Sequence, residues 1–143
     1  MCRKDRDICN DYGFCFMDHV EEPAIVLDAV GWQRRNDGGY YWKNQNRPEC
    51  FLFQYTLSGS GTLETEDGIF TVKKGEGFFL RMPGEESYYF DEEKNQGPWE
   101  FVYLMFRGRS VSAYYEYVLG HVGKMIALAS HHPAVKQLMD LYF

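Results

Sequence analysis

The sequence lacks several features that would assign it to a functional class at once. No apolar run reaches the roughly 20 residues that a membrane-spanning helix needs. The four cysteines form neither a CxxC pair nor a disulfide-like array, which excludes the common zinc and redox motifs and suits a reducing cytoplasm. A P-loop, a dinucleotide fingerprint and a nucleophile motif are also missing. These absences predict a cytoplasmic protein without a membrane partner.

Positive charge is also scarce. The 143 residues include 15 Lys and Arg against 21 Asp and Glu, which gives a net charge of −6. Phosphate binding needs a positive face that releases counterions, so this chain is not expected to grip nucleic acid by itself. The length predicts one domain, and an aromatic content of 17% favours a β-rich core or a cavity walled by rings.

Short strands dominate the middle of the chain. Apolar, β-branched or aromatic runs alternate there with Gly, Pro and acidic residues, as in a sheet that closes on itself. Residues 33–39 read as a loop and residues 91–98 as a surface loop. The predicted strands cover residues 24–30, 40–43, 51–57, 62–66, 69–72, 78–80, 87–90 and 99–106.

One hairpin is predicted in detail. Asp67-Gly68 reads as a two-residue loop in which glycine supplies a positive φ. That loop would pair Leu63 with Val72 and Thr65 with Phe70, and would leave Glu64 and Glu66 outside.

The strand 99–106 is apolar on both faces, so it needs cover on both sides. A barrel provides this cover if one face lines its interior and the other lies under helices. Two helices are expected afterwards, because apolar residues recur at i, i+3, i+4 and i+7 from Val111 and again from Val135. The second has Pro133 as its first residue. It runs to Phe143 without a Gly, Lys or Pro to end it, so we expect the natural chain to continue.

Metal chemistry is not expected. The spacing from Gly77 to Pro83-Gly84 is typical of a cupin turn, but a metal-dependent cupin needs histidines on adjacent strands. The hairpin 62–72 has none, and Ser87 and Tyr88 stand where a later one would be. We therefore predict no cofactor.

The polar and aromatic residues of the predicted interior allow two interpretations. They are either ordinary core or the walls of a small-ligand pocket, which combines apolar surfaces with a few hydrogen-bonding groups. Aromatic faces suit the C–H faces of sugar rings. The residues concerned are Trp42, Gln54, Tyr89, Trp99, Phe101 and Tyr103.

The order of motifs resembles the N-terminal ligand-binding and dimerisation domain of AraC-family transcription regulators. The resemblance rests on the segments 53–63, 75–80, Pro83-Gly84-Glu85, Tyr89 and 99–108, and it covers roughly residues 24–142. It implies a mostly β fold, a cupin-like barrel (a double-stranded β-helix or jelly-roll) followed by C-terminal helices. The implied domains are an N-terminal arm (1–22), a ligand-binding barrel (23–108) and a helical dimerisation and linker region (109–143).

The resemblance also implies partners and site residues. A small-molecule effector, with a sugar favoured, would bind in the barrel, a homodimer would form through the helices, and DNA would be bound only by a C-terminal domain beyond Phe143. In the arabinose-responsive member the corresponding contacts fall on Tyr89, Phe101 and Tyr103, while Lys43, Asn44 and Arg47 all lie where its arginine is expected. Because Phe101 and Tyr103 replace a histidine and a tryptophan, arabinose itself is disfavoured. The predicted ligand-binding set is Trp42, Arg47, Gln54, Tyr89, Phe101 and Tyr103.

Two alternatives from other classes stay open at this point. One is a small cupin enzyme, an isomerase or a dioxygenase, which the missing histidines disfavour. The other is a barrel that only mediates protein association, in which the interior aromatics are plain core. The main prediction is a sensor domain rather than an enzyme.

Overall fold

A computed structural model describes residues 7–14, 24–45 and 49–143. Within these ranges the chain forms two antiparallel β-sheets with an apolar core between them, and two helices pack on the outer side of the larger sheet. The elements in chain order are β1 (Ile8–Gly13), β2 (Val26–Arg35), β3 (Tyr41–Lys43), β4 (Cys50–Ser58), β5 (Ser60–Thr65), β6 (Gly68–Lys73), β7 (Glu76–Met82), β8 (Ser87–Tyr89), β9 (Trp99–Arg107), α1 (Val111–His121), β10 (Met125–Ala127) and α2 (Pro133–Tyr142).

The strand order identifies the fold. The larger sheet runs β1-β2-β9-β4-β7-β10 and the smaller sheet runs β3-β8-β5-β6. Sequence-distant strands such as β2 and β9 are neighbours, and every pairing is antiparallel. Two such sheets around one core form a jelly-roll barrel. The predicted mostly β fold with C-terminal helices is confirmed.

Strand β9 shows how the alternating pattern builds the barrel. Trp99 and Phe101 point into the core between the sheets, where Tyr103 and Met105 pack against the same cluster. Val102 belongs to the cluster under α2 instead. The strand is therefore covered on both faces, as predicted.

Each helix covers a different part of the larger sheet. On α1, Val111 and Tyr115 are buried against Phe51 and Phe79. The buried face of α1 is narrower than the sequence pattern predicts, because Tyr114 is 63% exposed.

Helix α2 covers the neighbouring part of the sheet. Val135 and Leu138 are buried against Tyr55 and Val102. The helix begins at Pro133, as predicted, and the preceding His132 caps it because the Ala134 amide donates to His132 Nδ1 at 3.1 Å.

The hairpin register differs from the prediction. Leu63 pairs with Phe70, and Thr65 pairs with Gly68, so the loop residues are Glu66 and Asp67. The Asp67 amide donates to Thr65 Oγ1 at 3.1 Å, which closes the turn one residue earlier than expected. Gly68 does have a positive φ of 140°, but as the first residue of β6.

Two edge strands of the larger sheet were not predicted from the sequence. Strand β10 follows α1 and pairs with β7. Strand β1 comes from the predicted arm, of which the structure describes residues 7–14, and it pairs with β2 from Ile8↔Arg34 to Gly13↔Ala29. Strand β2 also runs to Arg35, so the predicted loop at 33–39 begins too early. That extension places Gln33 and Arg35 on a regular strand.

Candidate functional site

A cavity of about 280 Å³ lies inside the barrel. Its walls come from both sheets, and the edge strand β1 contributes Cys9 and Asp11. Among the described residues, Asp11 and Arg35 are the charged ones in its lining. The lining residues are Cys9, Asp11, Gln33, Arg35, Tyr40, Trp42, Leu52, Gln54, Tyr88, Tyr103 and Met105.

A polar network joins β1 to β2 at this cavity. Gln33 Nε2 lies within hydrogen-bonding distance of both carboxylate oxygens of Asp11, at 3.1 and 2.9 Å. Arg35 Nε donates to Gln33 Oε1 at 3.1 Å, and another of its guanidinium nitrogens donates to Cys9 Sγ at 3.0 Å. Asp7 Oδ2 lies 3.7 Å from the same guanidinium group. The side chains of β1 thus supply the acceptors for polar groups of β2.

Aromatic rings form the other walls of the cavity. The Arg35 guanidinium lies 5.0 Å from the centroid of the Tyr40 ring, within the range of a cation–π contact. Burial raises the pKa of Tyr103, and the Asp11 carboxylate, which accepts a hydrogen bond from it, raises that pKa further. Burial likewise raises the pKa of Tyr40. Both phenols are therefore neutral hydrogen-bond donors near pH 7.

Gln54 is the most informative residue of the cavity. It lies on β4 with only 2% of its surface exposed, and it neighbours the Tyr40 hydroxyl. Among the described residues no atom accepts a hydrogen bond from its Nε2 amide at ordinary hydrogen-bonding distance and angle, although the Tyr40 hydroxyl is close enough for Gln54 to offset part of the rise that burial gives the Tyr40 pKa. A buried donor without a partner costs about 1–3 kcal/mol, so a group that lines a cavity in this state is suited to a ligand's acceptor.

The structure describes five of the six predicted ligand-binding residues, and only three of these five line the cavity. Trp42, Gln54 and Tyr103 line the cavity. Tyr89 does not: it stacks on Tyr41 at 5.3 Å between ring centroids, and its hydroxyl donates to Glu64 at 3.3 Å. Phe101 is fully buried in the core and does not line the cavity either.

Arg47 lies outside the described residues. Of the two other residues considered for the family's arginine, Lys43 is exposed and Asn44 bonds to Glu86 and to the Arg81 carbonyl. The arginine that does line the cavity is Arg35.

The sequence prediction therefore missed Asp11, Gln33 and Arg35. Gln33 and Arg35 stand two residues apart, which is the spacing of one strand face, but they fall in the predicted loop. Extending the strand 24–30 by five residues would have put both on one face. Asp11 has no comparable local signal, because its position depends on the pairing of β1 with β2.

A larger groove of about 660 Å³ lies outside the barrel, between the tip of the β5–β6 hairpin and α1. It contains an ion pair in which Lys124 Nζ lies 2.9 Å from Glu86 Oε1. Burial alone would raise the pKa of Glu86, but hydrogen bonds from Lys124 and Asn44 outweigh it and hold the pKa below its usual value. The buried acid already has its partners here, so this groove is a weaker candidate for a ligand site than the cavity.

The described residues offer neither a metal-binding cluster nor a membrane-spanning helix. Over residues 7–14, 24–45 and 49–143, no three His, Cys, Asp or Glu side chains are grouped closely enough to hold a metal ion. Neither α1 nor α2 has the length and apolarity needed to cross a membrane.

A jelly-roll barrel with a small aromatic cavity between its sheets is the architecture of a cupin-type ligand-binding domain. The family model of the AraC-like ligand binding domain matches residues 34–142. The chain belongs to this family, which confirms the resemblance inferred from its sequence motifs. A search of curated proteins found no matching relative.

The solved structures to which this chain is similar have low sequence identity to it. The protein YhaK from Escherichia coli is 14% identical, with a TM-score of 0.57 over 85% of this chain and 51% of YhaK. This chain therefore spans about half of YhaK. The cupin domain of an XRE-family transcriptional regulator from Enterobacter cloacae is 12% identical, with a TM-score of 0.46 over 61% of this chain and 100% of that domain. An oxalate decarboxylase variant from Bacillus subtilis is 18% identical, with a TM-score of 0.39 over 83% of this chain and 29% of that protein.

Proposed function

We propose that this chain is the effector-sensing domain of an AraC-type transcription regulator and that it binds a small polar organic molecule, with a sugar favoured, in the cavity between the two sheets. The observation that carries the proposal is the unpartnered Gln54 amide inside that cavity. The volume of about 280 Å³ is at the lower end for ligand pockets, which suits a monosaccharide-sized ligand. Trp42, which lines the cavity and is 43% exposed, offers an aromatic face to the C–H face of such a ring.

The contacts of β1 support a route from the cavity to the C-terminal helix. Asp11 of β1 lines the cavity, and one residue away the Asn10 carbonyl accepts a hydrogen bond from the Tyr142 hydroxyl of α2 at 2.9 Å. The rings of Tyr12 and Tyr142 also pack at 5.9 Å between centroids. A ligand that favours one arrangement of β1 would shift the population of α2 positions in the same direction.

Ligand binding can be tested by thermal unfolding in the presence of a broad panel of sugars and metabolites. A ligand at 100 times its dissociation constant stabilises the folded state by about 2.7 kcal/mol, so a real effector gives a clear rise in Tm. Tyr103→Phe keeps the ring but removes a hydroxyl from the cavity, and Tyr114→Phe removes one from the exposed face of α1 as a matched control. If no compound of the panel raised the Tm of the unaltered protein, the sensor proposal would fail.

Homodimer formation through the C-terminal helices is a further part of the proposal. Tyr114 and Tyr117 are 63% and 64% exposed on α1, and exposed aromatic surface of this kind is typical of an interface. Analytical ultracentrifugation should show a dimer that Tyr114→Lys with Tyr117→Lys disrupts. Ile69→Lys is the control, since Ile69 is similarly exposed at 58% but lies on β6 rather than on a C-terminal helix. A wild-type monomer at high micromolar concentration would contradict dimerisation.

The DNA partner, the cytoplasmic location and the three domain boundaries complete the proposal. DNA would be bound by a C-terminal domain encoded after Phe143, and the downstream coding sequence should show paired helix-turn-helix patterns.

The competing class is a small cupin enzyme. Stoichiometric iron, manganese or zinc in the purified protein would favour that class over a sensor.

A further inference from the structure

The charge of the cavity depends on strand β1, because β1 supplies its carboxylate, Asp11. Without Cys9 and Asp11, the described lining has one charged side chain, Arg35. The same cavity is lined by the amides of Gln33 and Gln54 and by Tyr103. Arginine beside several neutral donors is the chemistry that recognises a carboxylate, because a guanidinium group and a carboxylate match in both charge and geometry.

Asp11 already presents a carboxylate to this set of donors. Both of its oxygens lie within 3.1 Å of Gln33 Nε2, and Tyr103 is hydrogen-bonded to it as well. Cys9 Sγ also donates to Asp11 Oδ2, at 3.3 Å. The cavity therefore holds the carboxylate of its own chain at its edge.

The backbone is built to allow this contact. Gly31 pairs with Asp11 in the β1–β2 register, and a Cβ atom at position 31 would overlap both the Asp11 carboxylate and the Tyr103 ring. Any other residue at 31 would thus keep the carboxylate away from the phenol.

Strand β1 is also the element that is easiest to displace. It is the end strand of the larger sheet, and Cys9 to Gly13 are all exposed. Elements with little buried apolar surface open at low free-energy cost compared with the core. A ligand can compete with Asp11 without disturbing the barrel.

We infer that Asp11 is an internal stand-in for a ligand carboxylate, and that the cavity takes a monosaccharide-sized hydroxycarboxylate, such as a sugar acid, which replaces Asp11 at Gln33 and Tyr103. Arg35 supplies the opposite charge and Gln54 donates to a hydroxyl at the inner end. This inference rests on the proposed function, since it names the chemical class of the ligand of the same cavity.

The test is calorimetric titration of the full chain with matched pairs of compounds in which a carboxylate replaces one hydroxymethyl group. Suitable pairs are glucose with glucuronate, galactose with galacturonate, and glycerol with glycerate. In at least one pair the acid should bind about tenfold tighter or more, as expected for a charge-assisted hydrogen bond. Neutral members that bind as well as the acids, or a panel in which no acid binds, would overturn the inference.

Three variants assign the effect to its residues. Asp11→Asn removes the competing carboxylate and should tighten acid binding by about tenfold while it changes neutral-sugar binding by less than about twofold. Arg35→Gln should remove the preference for acids, and Arg35→Lys, which keeps the charge, should retain part of it. Asp28→Asn is the matched control, because Asp28 pairs with Arg107 at 3.1 Å and does not line the cavity. Unchanged acid affinity in Asp11→Asn would contradict the stand-in role.

The outcomes separate the two proposals. Binding of neutral compounds only, weakened by Tyr103→Phe, would leave the sensor function standing and remove the acid preference. Absence of binding by any sugar, acid or other metabolite would remove both.

Discussion

The two buried glutamines of the cavity provide a direct test of which polar groups are hydrogen-bonded in the folded chain. Gln33 and Gln54 are 7% and 2% exposed, and both line the cavity. Gln33 is bonded on both sides, to Asp11 and to Arg35. The Nε2 amide of Gln54 has no acceptor among the residues that the structure describes. Replacing each with methionine keeps the volume close to that of glutamine and removes the amide.

The two substitutions should affect stability in different ways. Gln33→Met removes hydrogen bonds to two charged neighbours and should lower the free energy of unfolding by about 2 kcal/mol. Gln54→Met removes a buried donor that is unpaired in the absence of ligand. Since such a donor costs about 1–3 kcal/mol, the variant should be as stable as the wild type or more stable by up to about 2 kcal/mol.

Urea unfolding followed by circular dichroism measures both values, and an unchanged m-value would show that the transitions are comparable. Gln54→Met should weaken ligand binding although it does not lower stability. The loss of one hydrogen bond to ligand weakens the tightest compound of the panel by about tenfold. A Gln54→Met protein that is destabilised by more than about 2 kcal/mol and binds ligand normally would refute the role given to this amide.

Three other predictions concern the groove, the outer core and the docking of β1. At pH 7, Glu86→Gln should lower the unfolding free energy by about 2 kcal/mol. Because the pKa of Glu86 is lowered by folding from 4.5, this difference should shrink as the pH falls below 4.5, and a constant difference in acid urea titrations would contradict it. Phe79→Ala should cost about 3 kcal/mol by the same assay, since its ring packs against three rings of the sheet and against Tyr115 of α1, and a loss below about 1 kcal/mol would argue against that packing. Gly31→Ala should abolish hydrogen-exchange protection across β1, because its Cβ overlaps the Asp11 carboxylate, whereas unchanged protection would disprove that close approach.

Residue alternation alone was sufficient to predict the barrel walls. On β4, Phe51 and Tyr55 lie under the helices, while Leu52 and Gln54 face the interior, and the sequence has this period of two. The two helices were predictable for a similar reason, because the apolar spacing of α2 matches the stripe that packs on the sheet and that of α1 matches it except at the exposed Tyr114.

The hairpin shows where local patterns fail. Asp67-Gly68 is a strong turn signal, yet the Thr65 hydroxyl accepts from the Asp67 amide and moves the loop to Glu66-Asp67. A side-chain hydrogen bond of this kind changes which residues pair without changing the apolar pattern.

The candidate site could be predicted only in part, because its polar residues come together through long-range pairing. Trp42, Gln54 and Tyr103 were found because they lie on strands with a clear pattern. Asp11 reaches the cavity through pairing with Gly31, 20 positions along the chain, and no local signal reports that contact. The role of these four cavity residues in ligand binding remains a prediction.

The most direct test of the central claim is the nuclear magnetic resonance signal of the Gln54 side-chain amide during titration with the tightest compound of the panel. If the ligand occupies the cavity, this amide and the Trp42 indole should shift in a saturable way, with the same dissociation constant that calorimetry gives. Shifts confined to the outer groove around Glu86 and Lys124, with the Gln54 amide unchanged at saturation, would contradict binding inside the barrel.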